Sequence, residues 1–441
     1  MSETGSAVQK AEHSFLPAPR TLEDTGLSFF FILELIAKIL YRGGQLKLSE
    51  LSSRIHLPIS VLEPVLAFMR NERLCEISHR SDTEASIIYN LTDLGRLRAN
   101  DYLARSQYAG PAPVPLDAYV ALVRAQSLAG VPITRSMIDK AFSGIVIKKP
   151  ILDIFGAAMN SGRAIFVHGA AGVGKTFVAE HMANALIGDV FIPHAILVDN
   201  EIIQAYDPLV HKQAASDTVV EFKLERVRRD ERWVLCKRPI VLTGGELTLN
   251  MLDLDFDESS RYYSLPPQMK ANNGLLIIDD LGRQLVKARD LMNRWIVPLD
   301  RHLDYLTLHN GKKFMVPFDV IVVFSTNLKP SELADEAFLR RLGYKIHLTA
   351  LDEDDYRAIF KQVCEEFRIP FSEDSLHYLL HQHHYREGRP LLACVPRDIL
   401  RQVLDVAKYQ GKRPELTTEL LDWAWNNYYT TETLVESSQQ S

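Results

Sequence analysis

The sequence predicts an α/β fold in which helices cover both faces of a parallel sheet, with a C-terminal helical lid and a small N-terminal α+β domain. A glycine-rich loop at 169–176 joins an apolar run to a helix-compatible stretch. From 352 to 429 the pattern is helical throughout. Further apolar runs alternate with helix-like stretches, as in βαβ units, and lie at 195–198, 275–278, 320–324 and 346–348.

The loop matches G-x-x-x-x-G-K-[ST], the phosphate-binding pattern of P-loop NTPases, in its strand–loop–helix setting. Glycines let backbone N–H groups converge on phosphates, and the helix N-terminus adds a positive dipole. Lys175 would reach the β- and γ-phosphates, and Thr176 would reach Mg²⁺. We therefore expect a nucleoside triphosphate to be held by Gly169, Ala170, Ala171, Gly172, Val173, Gly174, Lys175 and Thr176.

Bulk composition indicates a globular protein of several domains. The 441 residues carry a net charge of −6, so no global basic field attracts nucleic acid. The four cysteines are far apart, which favours free thiols in a reducing compartment. The most apolar stretch, 26–40, is interrupted by Glu34 and Lys38 and is too short for a bilayer. We expect a cytoplasmic protein without membrane insertion.

Polar side chains follow two of the predicted strands. Asp279 and Asp280 end the run at 275–278, and Asn327 follows the run at 320–324. Ligands bind at the carboxyl ends of parallel strands. Asp279 would hold Mg²⁺, Asp280 would orient or deprotonate the attacking water, and Asn327 would position that water or contact the γ-phosphate.

Together these motifs resemble the AAA+ ATPases: Walker A at 169–176, Walker B at 275–280 and sensor 1 at Asn327. The stretch 335–342 resembles their arginine-finger segment, and Val395-Pro396-Arg397-Asp398 resembles sensor 2. The resemblance implies ATP as the nucleotide and an oligomeric ring, usually hexameric. It also implies that Arg341 or Arg340 reaches the γ-phosphate of the adjacent subunit and that Arg397 contacts the nucleotide.

Two features refine this resemblance. Walker B usually ends Asp-Glu, whereas here it ends Asp279-Asp280, and the shorter side chain predicts slow turnover. Residues 306–317 read as two β-runs around Asn310-Gly311, a hairpin signal. The MoxR, midasin and sigma-54-activator branches carry a pre-sensor-1 hairpin at this place. The region 240–267 is interpreted as an insertion, whose Tyr262-Tyr263 pair either contacts a partner or packs on the sheet.

Residues 26–105 predict three helices, a β-hairpin and a closing helix, a winged-helix-like order. The candidate recognition helix, 58–72, carries Glu63 and Glu72 against Arg70, so duplex DNA is not favoured. Protein recognition is favoured because the apolar positions exceed what one packed face needs; a purely structural domain is the third alternative. Those positions are Val61, Leu62, Val65, Leu66, Phe68 and Met69.

These patterns divide the chain into six parts and lead to one functional expectation. We expect an AAA+ ATPase that hydrolyses ATP in a homo-oligomeric ring and remodels an unknown protein partner. The alternatives are a nucleic-acid-binding AAA+ regulator and a slow nucleotide switch. The parts are a disordered N-terminus (1–25), the winged-helix-like domain (26–105), a linker and helical connector (106–144, with a stiff segment at 110–115), the ATPase core (145–350), the lid (351–430) and a disordered tail (431–441).

Overall fold

The structure is a computed structural model, and it divides the chain into two compact units. The first unit comprises the described residues up to 131, with 186–276 and 294–321. The second comprises 132–185, 277–293 and the described residues from 322 onward. The residues that the structure describes are 16–79, 87–214, 229–333 and 339–438.

The amino-terminal part of the first unit has the predicted order of three helices, a hairpin and a closing helix. Ser28 and Thr92 cap the first and last of these helices by accepting hydrogen bonds from Phe31 N and Gly95 N. The elements are α1 (Phe29–Gly43), β1 (Leu46–Lys47), α2 (Leu48–Ile55), α3 (Ile59–Asn71), β2 (Cys75–His79), β3 (Ile88–Leu91) and α4 (Asp93–Arg105). The unpredicted β1 joins the hairpin in the order β1-β3-β2. Residues 80–86, which connect β2 to β3, lie outside the described residues.

The middle of the chain alternates short strands with helices. Up to residue 204 the elements are β4 (Val114–Pro115), α5 (Leu116–Ala125), α6 (Arg135–Ala141), α7 (Lys149–Asn160), β5 (Ala164–His168), α8 (Lys175–Met182), β6 (Asp189–Pro193), β7 (Ala195–Val198) and β8 (Glu201–Gln204). From residue 233 they are β9 (Trp233–Lys237), β10 (Ile240–Thr243), β11 (Asp255–Asp257), β12 (Tyr262–Ser264), α9 (Pro267–Lys270), β13 (Gly274–Ile278), α10 (Ala288–Arg301), β14 (Leu303–Thr307), β15 (Lys313–Pro317), β16 (Val320–Thr326), α11 (Pro330–Leu333) and β17 (Leu342–His347).

The central sheet contains five strands in the order β10-β13-β16-β5-β17. Strand β5 pairs in parallel with both β16 and β17. Nearly every side chain of β5, β13 and β16 is buried, as expected for a sheet that helices cover on both faces. Because the glycine-rich loop leaves the sheet between β5 and α8, this is a P-loop NTPase fold. The predicted fold class is confirmed.

One predicted strand belongs elsewhere. The run at 195–198, which we expected in the central sheet, is β7 of a second sheet with the order β11-β12-β8-β7-β4. The expectation was wrong because an apolar run of four residues identifies a buried strand without identifying its neighbour. Here β7 pairs in parallel with β4 and antiparallel with β8.

The region expected to be an insertion, 240–267, is built into both sheets. Its first strand, β10, is an edge strand of the central sheet, and β11 and β12 pair antiparallel in the second sheet. Tyr263 is buried, and the Tyr262 ring packs edge-on against Tyr108 at 5.6 Å between centroids. Of the two alternatives for this tyrosine pair, the structure therefore has packing against the sheet.

The apolar side chains of α3 lie in the domain core. Helices α1 and α2 and strand β2 all pack against α3. Phe68 is partly buried, and its ring lies edge-on against Phe29 at 5.2 Å. The expectation that these apolar positions are surplus and free for docking was therefore wrong, because three neighbouring elements cover them. The fully buried positions are Val61, Leu62, Val65, Leu66 and Met69.

The segment predicted to be a stiff linker, 110–115, is packed. Ala112 and Val114 are fully buried, and Ala112 N donates a hydrogen bond to Ile55 O at 2.7 Å. Strand β4 begins at Val114 and pairs with β7. The apolar residues between the prolines allow the segment to pack against buried apolar side chains. The proline content alone does not predict this packing.

Residues 16–25, predicted as part of a disordered N-terminus, also have fixed contacts. The buried Arg232 guanidinium, paired with Asp230, donates to Thr25 O at 2.8 Å. Asp230 N donates to Leu16 O at 2.9 Å. These contacts are made with residues some two hundred positions away, so the local composition of 16–25 does not predict them. Residues 1–15 lie outside the described part of the chain.

The predicted hairpin is present as β14 and β15. The strands pair antiparallel from Leu303 opposite Pro317 to Thr307 opposite Lys313. Gly311, with φ +82°, lies in the turn, where a left-handed backbone favours glycine. The hairpin starts at Leu303, earlier than the predicted 306. Its first residues also pair with β15, although their sequence does not show an evident β-pattern.

The carboxyl-terminal part is helical, as expected. It contains α12 (Glu353–Phe367), α13 (Glu373–Tyr378), a π-helical segment (Leu379–Tyr385), α14 (Val395–Tyr409) and α15 (Thr418–Ser438). Tyr356, Phe360, Leu400 and Trp425 lie in its buried core. Residues 431–438, predicted as part of a disordered tail, continue α15, since each added residue gains one helical hydrogen bond. The predicted domain boundaries stay predictions.

Candidate active site

The glycine-rich loop connects β5 to α8 through backbone conformations that favour glycine. Gly172 and Gly174 have φ of +81° and +91°. At Gly169, with φ +153°, a Cβ would lie 2.1 Å from Leu348 O, so no side chain fits there. The loop ends where α8 begins at Lys175, so that free N–H groups of the first helical turn face the loop.

Lys175 lies at the centre of the site and is 7% exposed. Its ammonium group donates to Gly169 O at 3.1 Å, Ala170 O at 2.9 Å and Asn327 Oδ1 at 2.5 Å. Burial lowers the pKa of Lys175, while the charge of Asp279 acts in the opposite direction. The structure thus brings the P-loop lysine and the predicted sensor-1 asparagine into direct contact.

Thr176 and Asp279 are also brought together. Thr176 Oγ1 donates to Asp279 Oδ2 at 2.7 Å. A hydroxyl and a carboxylate oxygen side by side are the hard ligands that Mg²⁺ prefers. Within the part of the chain that the structure describes, no group of three or more His, Cys, Asp or Glu side chains could hold a metal ion. Mg²⁺ does not require such a group, since it keeps several waters and binds one or two side chains plus phosphates.

Asp280 lies on the turn that follows β13. Its backbone is left-handed, with φ +50°, and its side chain is 46% exposed. Arg283 N donates to Asp280 O at 2.9 Å, and the Arg283 guanidinium lies 3.9 Å from the carboxylate. Asp280 therefore presents an open carboxylate beside the partly buried Thr176–Asp279 pair.

A cavity of 1120 Å³ opens beside these side chains, and its lining includes Lys175, Thr176, Asp279, Asp280 and Asn327. Its volume is slightly above the roughly 300–1,000 Å³ found for ligand pockets. The sequence did not identify its apolar wall, although an Ile-Val-Ile run between two helices was a usable signal. That wall contains Ile145, Val146, Ile147, Ile151, Ile359 and Val363.

The lid contacts the loop at 144–148, which forms part of this wall. Gln362 Nε2 donates to Gly144 O at 3.1 Å. The Lys148 ammonium lies 2.8 Å from Asp352 and 3.9 Å from Asp355, and the bond to Asp352 raises the pKa of Lys148. These contacts tie helix α12 to the edge of the cavity.

The start of α14 reaches the phosphate loop itself. Cys394 N donates to Gly172 O at 3.1 Å. A Cβ at Gly172 would lie 2.6 Å from Cys394 Sγ, so the two segments are in close contact. Sequence reasoning did not identify Cys394 as a neighbour of the loop, because the two are more than two hundred residues apart.

Arg397, predicted to contact the nucleotide, lines the cavity but is paired with Glu366 of α12. Its two terminal nitrogens donate to the two carboxylate oxygens at 2.9 and 2.6 Å. The hydrogen bonds lower the pKa of Glu366 and raise that of Arg397. Both side chains are about half exposed, so the pair faces solvent.

Arg340 and Arg341 immediately precede β17, and neither lines the cavity among the described residues. Arg340 is exposed and Arg341 is partly buried. The preceding residues of the predicted arginine-finger stretch, 335–338, lie outside the described residues. Neither arginine is thus among the predicted site residues that line the cavity.

No helix within the described ranges combines the length and the apolar character that a membrane crossing requires.

The comparisons with known proteins concern the lid and the overall fold. Residues 352–427 match the family model "Domain of unknown function (DUF8689)". No curated protein matches the chain. Among solved structures, NtrX from Brucella abortus in complex with ADP is similar at 15% identity and a TM-score of 0.39, over 65% of this chain and 56% of that chain. The Thermotoga maritima RuvB Holliday junction branch migration motor is similar at 13% identity and a TM-score of 0.34, over 69% and 72%. The chain therefore spans less than two thirds of the NtrX chain that it matches.

Proposed function

We propose that this protein is an AAA+ ATPase that binds and hydrolyses ATP with Mg²⁺ in an oligomeric ring and remodels a protein partner. One observation carries the proposal: the Thr176–Asp279 and Lys175–Asn327 contacts bring four predicted site residues together at one cavity. These residues come from the ends of three different segments, which is the arrangement that phosphoryl transfer requires.

Each residue has a role that its position supports. Lys175 would exchange its contacts with loop carbonyls for the β- and γ-phosphates. Thr176 and Asp279 would hold Mg²⁺, which would neutralise developing phosphate charge when bound. Asp280 would accept the proton of the attacking water, and Asn327 would orient that water. The apolar wall of the cavity suits a planar base, and its polar end suits phosphates.

The ring and the trans arginine are further parts of the proposal. Arg341, or its neighbour Arg340, would complete the site of the adjacent subunit, where an arginine can raise the rate by orders of magnitude. Their position outside the cavity of their own chain supports a role in trans. The hairpin β14–β15 supports placement near the MoxR and midasin branches.

The amino-terminal domain is proposed to be a winged-helix-like module that recognises protein. The exposed face of α3 carries one acid, Glu63, and one base, Arg70, so it has no net charge. Phosphate contacts require a basic surface, so this face does not suit duplex DNA. A nucleic-acid-binding regulator is therefore the less favoured alternative, and it would show DNA-stimulated turnover with a steep salt dependence.

Asp280 favours a second candidate, a nucleotide switch with negligible turnover. The carboxylate is one methylene shorter than the usual Glu, and a misplacement of about 1 Å can cost about a hundredfold in rate. Such a switch would bind ATP tightly and hydrolyse it at background rate.

The first test is ATP hydrolysis per subunit as a function of protein concentration, with Lys175→Ala as the blank. We expect turnover above the blank that rises with concentration, because sites completed between subunits become active only on assembly. Turnover that stays at the blank while ATP binds tightly would contradict the ATPase and favour the switch. Monomers at micromolar concentrations with ATP and Mg²⁺ present would contradict the ring.

A further inference from the structure

The turn that carries Asp279 and Asp280 lies next to the turn that carries Asn327, and buried polar side chains connect them. Both turns are short. Leu281 and Gly282 directly follow Asp280, and Leu328 directly follows Asn327. The distance between the carboxylate and the amide therefore depends on how these two turns are held together.

Thr326 is the residue that bonds to both turns. It is fully buried, and its hydroxyl donates to Leu281 O at 2.6 Å. The same hydroxyl accepts a hydrogen bond from Leu328 N at 3.1 Å. One oxygen thus connects the backbone just after Asp280 to the backbone just after Asn327. A buried hydroxyl in such a bridge is costly to lose, since both backbone partners would remain unsatisfied.

Gln284 holds the acidic turn from its other side. It is buried, and its Oε1 accepts a hydrogen bond from Gly282 N at 2.8 Å. Its Nε2 donates to Asp279 O at 3.1 Å. These two bonds are made to the residues on either side of the left-handed Asp280. Without them, the backbone at Asp280 would be free to relax to another conformation.

We propose that Thr326 and Gln284 are positioning residues for ATP hydrolysis, which fix the acidic turn against the turn of Asn327. This inference rests on the proposed function. Neither side chain lines the cavity, so neither would contact the nucleotide. They act through the geometry of Asp280 and Asn327, so their loss should slow hydrolysis and leave ATP affinity nearly unchanged.

The test uses three variants of the full chain, which change the hydroxyl side chains of the neighbouring residues Thr326 and Ser325. Thr326→Val replaces the hydroxyl by a methyl group of similar size, and Thr326→Ser retains the hydroxyl. Ser325→Ala is the matched control, because the buried Ser325 hydroxyl has no hydrogen-bond partner among the described residues. ATP affinity and the single-turnover rate are measured separately for each.

We expect Thr326→Val to lower the single-turnover rate about tenfold or more with ATP affinity within about twofold of wild type. Thr326→Ser and Ser325→Ala should retain nearly the wild-type rate. A wild-type rate in Thr326→Val would overturn the proposal, as would an equal loss in Thr326→Ser. A merely structural hydroxyl would change rate and affinity together.

Gln284→Met keeps the proposal testable if Thr326→Val does not fold. Methionine retains the length of the side chain and removes both hydrogen bonds, and we expect the same selective loss of rate. If both variants lose turnover only together with ATP binding, the residues are structural and the proposal is wrong. A wild-type rate equal to that of Lys175→Ala would instead overturn the proposed function itself.

Discussion

At the residue scale, the backbone explains why Asp stands at position 280. Its φ of +50° is left-handed, a region in which Asn and Asp are several-fold enriched among residues other than glycine. Their short polar side chains bond locally and tolerate this conformation, whereas a longer Glu has no such compensation. The departure from the usual Asp-Glu ending thus has a local cause in the turn.

The charge of Asp280 is testable without disturbing that turn. Asn has the same shape and tolerates the same backbone, so Asp280→Asn should fold and bind ATP as wild type does. We expect its single-turnover rate to fall about a hundredfold or more, since the water would lose its proton acceptor. Quench-flow measurements with separately determined ATP affinity would show this.

If Asp280→Asn turned over at the wild-type rate, another group would have to accept the proton, and the role given to Asp280 would be wrong.

At the element scale, two helices of the lid bond to the loops of the nucleotide site. Helix α12 bonds to the cavity loop through Gln362, and α14 bonds to the phosphate loop through Cys394 N. Within the lid, Arg397 of α14 is paired with Glu366 of α12, and both side chains line the cavity. A phosphate group and Glu366 would therefore compete for one guanidinium, because both are bidentate acceptors.

Releasing Arg397 should tighten ATP binding. Glu366→Gln removes the competing charge, and we expect ATP affinity to rise about two- to fivefold, a small change because exposed ion pairs are weak. Titration calorimetry at low salt measures the effect.

Glu365→Gln is the control, since it removes the same charge from an exposed neighbour that also lines the cavity. An equal gain in both variants would mean that general electrostatics, and not the release of Arg397, is responsible. The gain should also disappear in Glu366→Gln combined with Arg397→Ala.

At the scale of the whole molecule, the proposed ring makes each active site a property of two subunits. Lys175→Ala subunits would lack a working phosphate loop but could still supply Arg341 to a neighbour. Arg341→Ala subunits would keep the loop but lack the trans arginine. We expect each variant alone to be nearly inactive and their mixture to recover a measurable part of wild-type turnover, because some interfaces combine the two intact halves.

Hydrolysis assays across mixing ratios at fixed total protein would measure this recovery. Turnover of the mixture that never exceeds the sum of its parts would contradict sites shared between subunits. Arg340→Ala in place of Arg341→Ala would identify which of the two arginines acts.

The sequence by itself determined the parts whose cause is local. The glycine-rich loop, its flanking strand and helix, the hairpin around Asn310-Gly311 and the helical lid follow from periodicity and turn chemistry over a few residues. Parallel strands align their carboxyl ends, so the approach of Asp279 and Asn327 to the loop was also predictable.

Only the tertiary structure decided which segments meet. It placed the strand at 195–198 in a second sheet, docked the proline-rich segment and the residues at 16–25, and buried the apolar positions of α3. It also paired Arg397 with Glu366 and set Thr326 and Gln284 behind the acidic turn. Apart from the bonds of Gln284 to Gly282 and Asp279, these outcomes depend on residues far away in the chain. A local sequence pattern can indicate that a side chain will be buried or paired, but it does not identify the partner.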